Sequence, residues 1–138
     1  MILTCLFMWG SAHAEPLVSL VVGKVNHKVK SADYRKIESA LEQTANALKA
    51  CSTSFAVFDD PLVGRQNSYV VKDAGAYCNV VLIKDSLWKY NCKLLTADTK
   101  GLAESIVKRI DTRELLGDLN DFEQSVFFNQ KKCIAEEL

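Results

Sequence analysis

Two runs between Cys78 and Cys92 have an apolar or aromatic residue at every second position and a mixture of residues between them, which predicts a β-hairpin. If residues 84–86 form the loop, Cys78 lies directly opposite Cys92 and one face of the hairpin is wholly apolar or aromatic. That face carries Cys78, Val80, Leu82, Trp88, Tyr90 and Cys92. A loop shorter by one residue would mix apolar and charged side chains on both faces, so the pattern favours the longer loop.

A spacing of three and four residues replaces this alternation between Ser31 and Ala50. The apolar positions are Tyr34, Ile37, Leu41, Ala45 and Leu48. This spacing predicts a helix with one apolar face, and Ser31 suits its N-cap position. We expect a sheet or another helix to cover that face, because an exposed apolar stripe is unfavourable in water.

Strands are also predicted on both sides of this helix. Residues 16–29 indicate a strand or a bent pair of strands, and residues 54–58 and 68–72 indicate short strands. The clearest turn segment is residues 59–67, which contains both a proline and a glycine.

Two helices are predicted near the C-terminus. The first begins at Asp98 or Thr99 and ends near Ile110. The second is capped by Asp121 and directs four side chains toward the core: Phe122, Val126, Cys133 and Ile134. Helices therefore occupy the two ends of the element order. This order predicts an α+β fold, in which N-terminal and C-terminal helices pack on an antiparallel sheet of three to five strands.

The N-terminus has the features of an export signal. Residues 2–9 are apolar and too few to span a bilayer, and they precede the small-x-small pattern of Ala12 and Ala14. We therefore predict a signal peptide over residues 1–14 and a single domain over residues 15–138. No basic residue precedes the apolar run, so either the signal is atypical or translation starts elsewhere. The alternative is a buried N-terminal strand.

The cysteines agree with export. Cleavage would remove Cys5 and leave an even number: Cys51, Cys78, Cys92 and Cys133. An oxidising compartment favours full pairing, so we expect two disulfides that brace the fold. The hairpin register favours a Cys78–Cys92 bridge and, by elimination, a Cys51–Cys133 bridge, although sequence leaves the other pairings open. A redox-active pair is disfavoured, since no Cys-x-x-Cys motif is present.

Charge and motif content narrow the functional classes. The 17 basic and 17 acidic residues balance, whereas a nucleic-acid-binding domain usually has a basic excess. No apolar run is long enough for an integral membrane span. After cleavage His27 is the last histidine, and no nucleophile elbow, phosphate loop or dinucleotide fingerprint is present. We therefore predict no catalytic, metal-binding or cofactor-binding residues. Residues 118–123 resemble part of a calcium loop but lack its glycine, so a helix cap is the simpler interpretation.

A binding surface is the remaining candidate. The turn places Leu62 and Val63 beside Arg65 and Gln66, and such loops often carry partner contacts. In the alternative, Leu62 and Val63 fold into the core.

The functional hypothesis is an exported protein, periplasmic or secreted, that binds another macromolecule without being an enzyme. An inhibitor, an immunity-type protein and a secretion accessory all fit, with a protein as the expected partner. The alternative is a small envelope hydrolase that uses converging carboxylates among Asp59, Asp60 and Glu104. A third possibility, a ligand-binding module over Trp88 and Tyr90, requires that face to be open.

Overall fold

We describe a computed structural model of the protein over residues 15–138. The predicted signal peptide, residues 1–14, lies outside this range. No helix of the described residues is long and apolar enough to cross a lipid bilayer.

The described residues form seven strands and three helices, in an order that confirms the predicted α+β fold. The elements are β1 Leu17–Val22, β2 Val25–Lys30, α1 Ser31–Ala50, β3 Ser54–Asp60, β4 Arg65–Asp73, β5 Cys78–Lys84, β6 Trp88–Leu94, α2 Thr96–Asp111, α3 Asp121–Phe127 and β7 Cys133–Glu137. Strands β3 to β7 form an antiparallel sheet in chain order, and β1 pairs separately with β2.

The core lies between one face of this sheet and the helices. Alternate residues of each strand are buried there, as Ala56 and Phe58 are in β3. Helix α1 packs against β3 and against α2, while α3 contacts α2 and β7. The alternate residues on the other face of the sheet are exposed or half-buried for the most part, because the helices lie on the first face.

Helix α1 begins and ends at the predicted residues, but its N-cap differs. Lys30 occupies the cap position with an extended backbone and no side-chain hydrogen bond, and Ser31 is the first helical residue. The helix ends where Cys51 adopts a left-handed conformation, with φ of 47°.

The register of the β5–β6 hairpin differs from the prediction by two residues. Lys84 pairs with Trp88, so Cys78 lies opposite Leu94 and Cys92 lies opposite Val80. Side chains alternate with a period of two, so this shift leaves every side chain on its predicted face and changes only its partner.

The predicted disulfide pairing is therefore wrong, although all four cysteines are bonded. The bridges are Cys51–Cys78 and Cys92–Cys133. The first joins the end of α1 to the start of β5. The second joins directly opposed residues of β6 and β7.

The predicted long last helix is also wrong. Helix α3 ends at Phe127, and its cap is Asn120, which forms a capping box with Glu123. A turn follows, in which the Asn129 carbonyl accepts hydrogen bonds from the N–H groups of Lys132 and Cys133. Ile134 is then 74% exposed on β7 instead of lying in the core.

Candidate partner-binding groove

The five-stranded sheet has two free edges, β3 and β7, and the backbone of β3 is open to pairing. Gln43 Nε2 donates a hydrogen bond to the Phe55 carbonyl oxygen at 3.0 Å, so this carbonyl points away from β4. Residues of an antiparallel strand direct both backbone groups toward one neighbour or the other in alternation. The N–H and C=O groups of Val57 and Asp59 therefore also face the free edge.

Helix α1 runs beside this edge and forms the second wall of a groove. One stripe of the helix faces β3: Ala32, Arg35, Lys36, Ser39 and Gln43. Phe55, Val57, Asp59 and Pro61 line the strand side, and the cavity measures about 680 Å³. We call this cavity the edge groove.

The first part of the edge is apolar. Phe55 is 64% exposed and Val57 39% exposed, on the face of the sheet opposite the helices. Edge strands usually carry lysine, proline or a bulge that prevents pairing with another chain. Strand β3 contains no lysine and no proline, and its only charged residues, Asp59 and Asp60, come at its end.

Acidic and basic side chains occupy different parts of the edge groove. Gln43 contacts the start of β3, so α1 begins at the end of the groove where β3 finishes. Asp33 and Asp59 therefore lie toward the Pro61 end, and Arg35 and Lys36 lie nearer the middle. None of these four groups forms an ion pair with another residue of the described range.

The predicted binding loop lies at the Pro61 end of the groove, but none of its four residues lines the groove. Leu62 and Val63 are 37% and 59% exposed, so they do not fold into the core. Asp60 holds their turn, since its carboxylate accepts hydrogen bonds from the N–H groups of Leu62 at 2.8 Å and Val63 at 3.3 Å. Arg65 and Gln66 belong to β4.

The β3–β4 loop is fixed to the neighbouring β5–β6 loop. The Asp85 N–H donates to Asn67 Oδ1 at 2.9 Å, and the Ser86 hydroxyl donates to the Gln66 carbonyl at 3.2 Å. These hydrogen bonds hold the two loops together at this end of the sheet. The predicted contacts of Leu62, Val63, Arg65 and Gln66 with a partner stay predictions.

The acidic residues of the alternative hypothesis lie in different places. Asp59 lines the edge groove, the Asp60 carboxylate is occupied by the turn, and Glu104 lines a separate groove beside α2. Residues 15–138 contain no cluster of three or more histidine, cysteine or acidic side chains arranged to hold a metal ion. No contact favours a carboxylate hydrolase, and that hypothesis stays a prediction.

The segment that resembles part of a calcium loop carries a buried ion pair instead. The Glu123 carboxylate accepts hydrogen bonds from Arg109 Nε at 2.9 Å and Nη2 at 2.6 Å. Arg109 also donates to the carbonyls of Glu114 and Asp118, which orders the loop before α3. Burial raises the pKa of the neighbouring Tyr69 hydroxyl, and the charge of Glu123 adds to the rise. The ion pair and these hydrogen bonds therefore stabilise the loop before α3.

The face over Trp88 and Tyr90 is partly covered, by α3 and the residue after it. The rings of Phe127 and Phe128 each lie 5.8 Å from the Tyr90 ring. Trp88 remains 41% exposed at the border of a shallow groove of about 490 Å³. Aromatic contacts account for this packing without a ligand.

Comparison with known proteins gives no further guide. No protein-family model matches the chain, and no significant match was found among curated proteins or solved structures. The edge groove is therefore interpreted from its own geometry.

Proposed function

We propose that this is an exported, non-enzymatic protein that binds a partner protein by adding an extended segment of the partner to the free edge of β3. The observation that carries the proposal is an apolar strand edge, with unpaired backbone groups, that lies open beside a helix. Two disulfides are compatible with an exported protein, and the expected compartment is the periplasm or the outside of the cell.

Strand addition fits both walls of the edge groove. Backbone hydrogen bonds to Val57 and Asp59 would supply affinity, and alternate side chains of the segment would supply specificity. Gln43 already donates to the Phe55 carbonyl, as the N–H of an added strand would. Its amide therefore marks the end of the groove at which pairing stops.

The first variant for the test is Val57→Pro. The substitution removes an N–H that faces the free edge and leaves the β3–β4 hydrogen bonds in place, since proline is tolerated on an edge strand in that orientation. The matched control is Ala135→Pro on β7. The Lys132 carbonyl accepts a hydrogen bond from the N–H of Lys93 in β6, and the Leu138 N–H donates to the carbonyl of Leu87, just before β6. By the alternation of backbone groups, the N–H of Ala135 therefore faces outward.

A displayed peptide library is panned against the wild-type protein, and enriched peptides are measured against both variants. We expect enriched peptides to bind the wild type and Ala135→Pro equally and to lose binding to Val57→Pro. N-methylation of alternate amides in an enriched peptide should also abolish binding, which tests edge pairing without changing the protein. Failure to enrich any peptide, or equal binding by all three proteins and by the methylated peptide, would refute the proposal.

A further inference from the structure

We infer that the segment accepted by the edge groove alternates apolar and acidic residues, with its apolar side chains beside Phe55 and Val57 and an acidic side chain against Arg35 and Lys36. This inference rests on the proposed function and specifies the chemistry of the partner. It follows from which face of the added strand each residue would occupy.

The apolar half of the pattern follows from strand geometry. A residue directly opposite Val57 in an added strand projects its side chain on the same face of the sheet as Val57. That face presents the exposed side chains of Phe55 and Val57. Aliphatic or aromatic residues at these positions would remove the exposed apolar surface from water.

The acidic half follows from the helix wall. Residues of the added strand between the apolar ones project toward α1, where Arg35 and Lys36 are exposed. Neither forms an ion pair with another residue of the described range. A carboxylate here would gain charge-assisted hydrogen bonds, which an arginine forms in a bidentate manner. Asp33 and Asp59, toward the Pro61 end, would repel an acid there and confine it to the middle of the groove.

Charge complementarity also argues against a second copy of this chain as the occupant. The side chains of β3 that face the helices are Ser54, Ala56 and Phe58, followed by Asp60 at the end of the strand. If β3 paired antiparallel with its own copy about its centre, Ala56 or Phe58 would face Arg35 and Lys36. The basic pair would then stay without a partner. The observations therefore favour a different chain with an acidic residue at this position.

The experiment uses protein expressed from the full sequence and three short peptides with blocked ends. Each alternates valine with a second residue, which is glutamate, glutamine or lysine. Affinities are measured by calorimetry at low and high salt. We expect the glutamate peptide to bind about tenfold more tightly than the glutamine peptide, and the lysine peptide to bind most weakly. High salt should reduce the differences, because exposed charges are screened.

Reversal of the charges of Arg35 and Lys36 tests the inference from the side of the protein. The double variant R35E/K36E should bind the lysine peptide most tightly, and the control K28E/K131E, with the same change of net charge, should keep the wild-type order. Equal affinity of all three peptides, lost in Val57→Pro, would overturn this inference and leave the proposed function standing. Absence of binding by the glutamate peptide would also overturn it, and the library experiment then decides the proposed function alone. A wild-type dimer that Val57→Pro dissociates, detected by sedimentation, would overturn it in favour of a second copy.

Discussion

The two edge strands of the sheet, β3 and β7, differ in their exposed side chains and in what lies beside their backbones. At β7, Glu136 and Glu137 are exposed together with Ile134, and the Cys92–Cys133 bridge fastens the strand to β6. At β3 the exposed side chains are Phe55, Val57 and Asp59, and a helix lies beside the open backbone. Charges at an edge oppose unwanted pairing. The clearer difference is the disulfide that fastens β7 and the groove that α1 forms beside β3, and this difference supports β3 as the binding edge.

The largest effect is expected from removal of the bridge that fastens β7. C92A/C133A should lose about 4 kcal/mol of stability, since the cysteines are 41 residues apart and the bridge restricts the unfolded chain. Urea denaturation measures the loss, and hydrogen exchange should show faster exchange in β7.

The control for that variant is C51A/C78A. Its cysteines are 27 residues apart, so the stability loss should be slightly smaller, while the β7 amides keep their protection. If β7 exchanges equally slowly in both variants, its anchorage does not depend on the bridge.

A smaller effect is expected from the ion pair that holds α3, the helix packed against β7. Glu123→Gln keeps the shape of a fully buried side chain and removes its charge beside Arg109, which should cost about 1.5–3 kcal/mol. Thermal or urea unfolding measures the change. Glu104→Gln, on the exposed face of α2, is the control and should change stability by less than about 0.5 kcal/mol. Equal effects would indicate that the pair contributes no more than a surface charge.

The next effect concerns Gln43, which occupies one carbonyl of the β3 edge. Gln43→Ala should cost about 0.5–1 kcal/mol, because two solvent-exposed hydrogen bonds are lost. The freed Phe55 carbonyl should then accept a hydrogen bond from a longer bound peptide. Calorimetry with peptides extended by one residue tests this. No gain in affinity over the wild type would mean that Gln43 does not limit the paired length.

The smallest effect on stability is expected from a lysine substituted into the exposed face of β3. Val57→Lys should change the free energy of unfolding by less than about 0.5 kcal/mol, since the side chain lies on the face of the sheet away from the helices and is 39% exposed, yet it should abolish peptide binding. Glu136→Lys, which reverses a charge on the other edge, should leave binding intact. Loss of binding in both variants would point to a general charge effect instead of edge pairing.

Periodic patterns explain which parts of the fold were predictable. The bounds of α1 and both faces of the β5–β6 hairpin follow from local spacing. The partner of Cys78 does not, because a shift of two residues leaves each face unchanged. Strand β7 was missed for another reason. Ala135 and Glu136 favour helices, and the strand conformation comes from pairing with β6.

The edge groove is harder to predict from local sequence than the helix and the hairpin are. Residues 54–58 are apolar on both faces, which indicates a second apolar surface, but the position of β3 at the edge depends on the order of all five strands. Arg35 and Lys36 look like an ordinary solvated helix face in the sequence. Their role is visible only once α1 lies beside β3.

The location of the Cys51–Cys78 bridge has a consequence for partner binding. Cys51 sits in the short connection between the helix and the strand that form the groove, and the bridge ties this connection to the start of β5. A reduced chain lacks that tie, and the connection is then held only by the packing of α1 on β3 and by the hydrogen bonds of Gln43. Under the proposed function, the reduced protein should therefore bind a partner peptide more weakly than the oxidised protein.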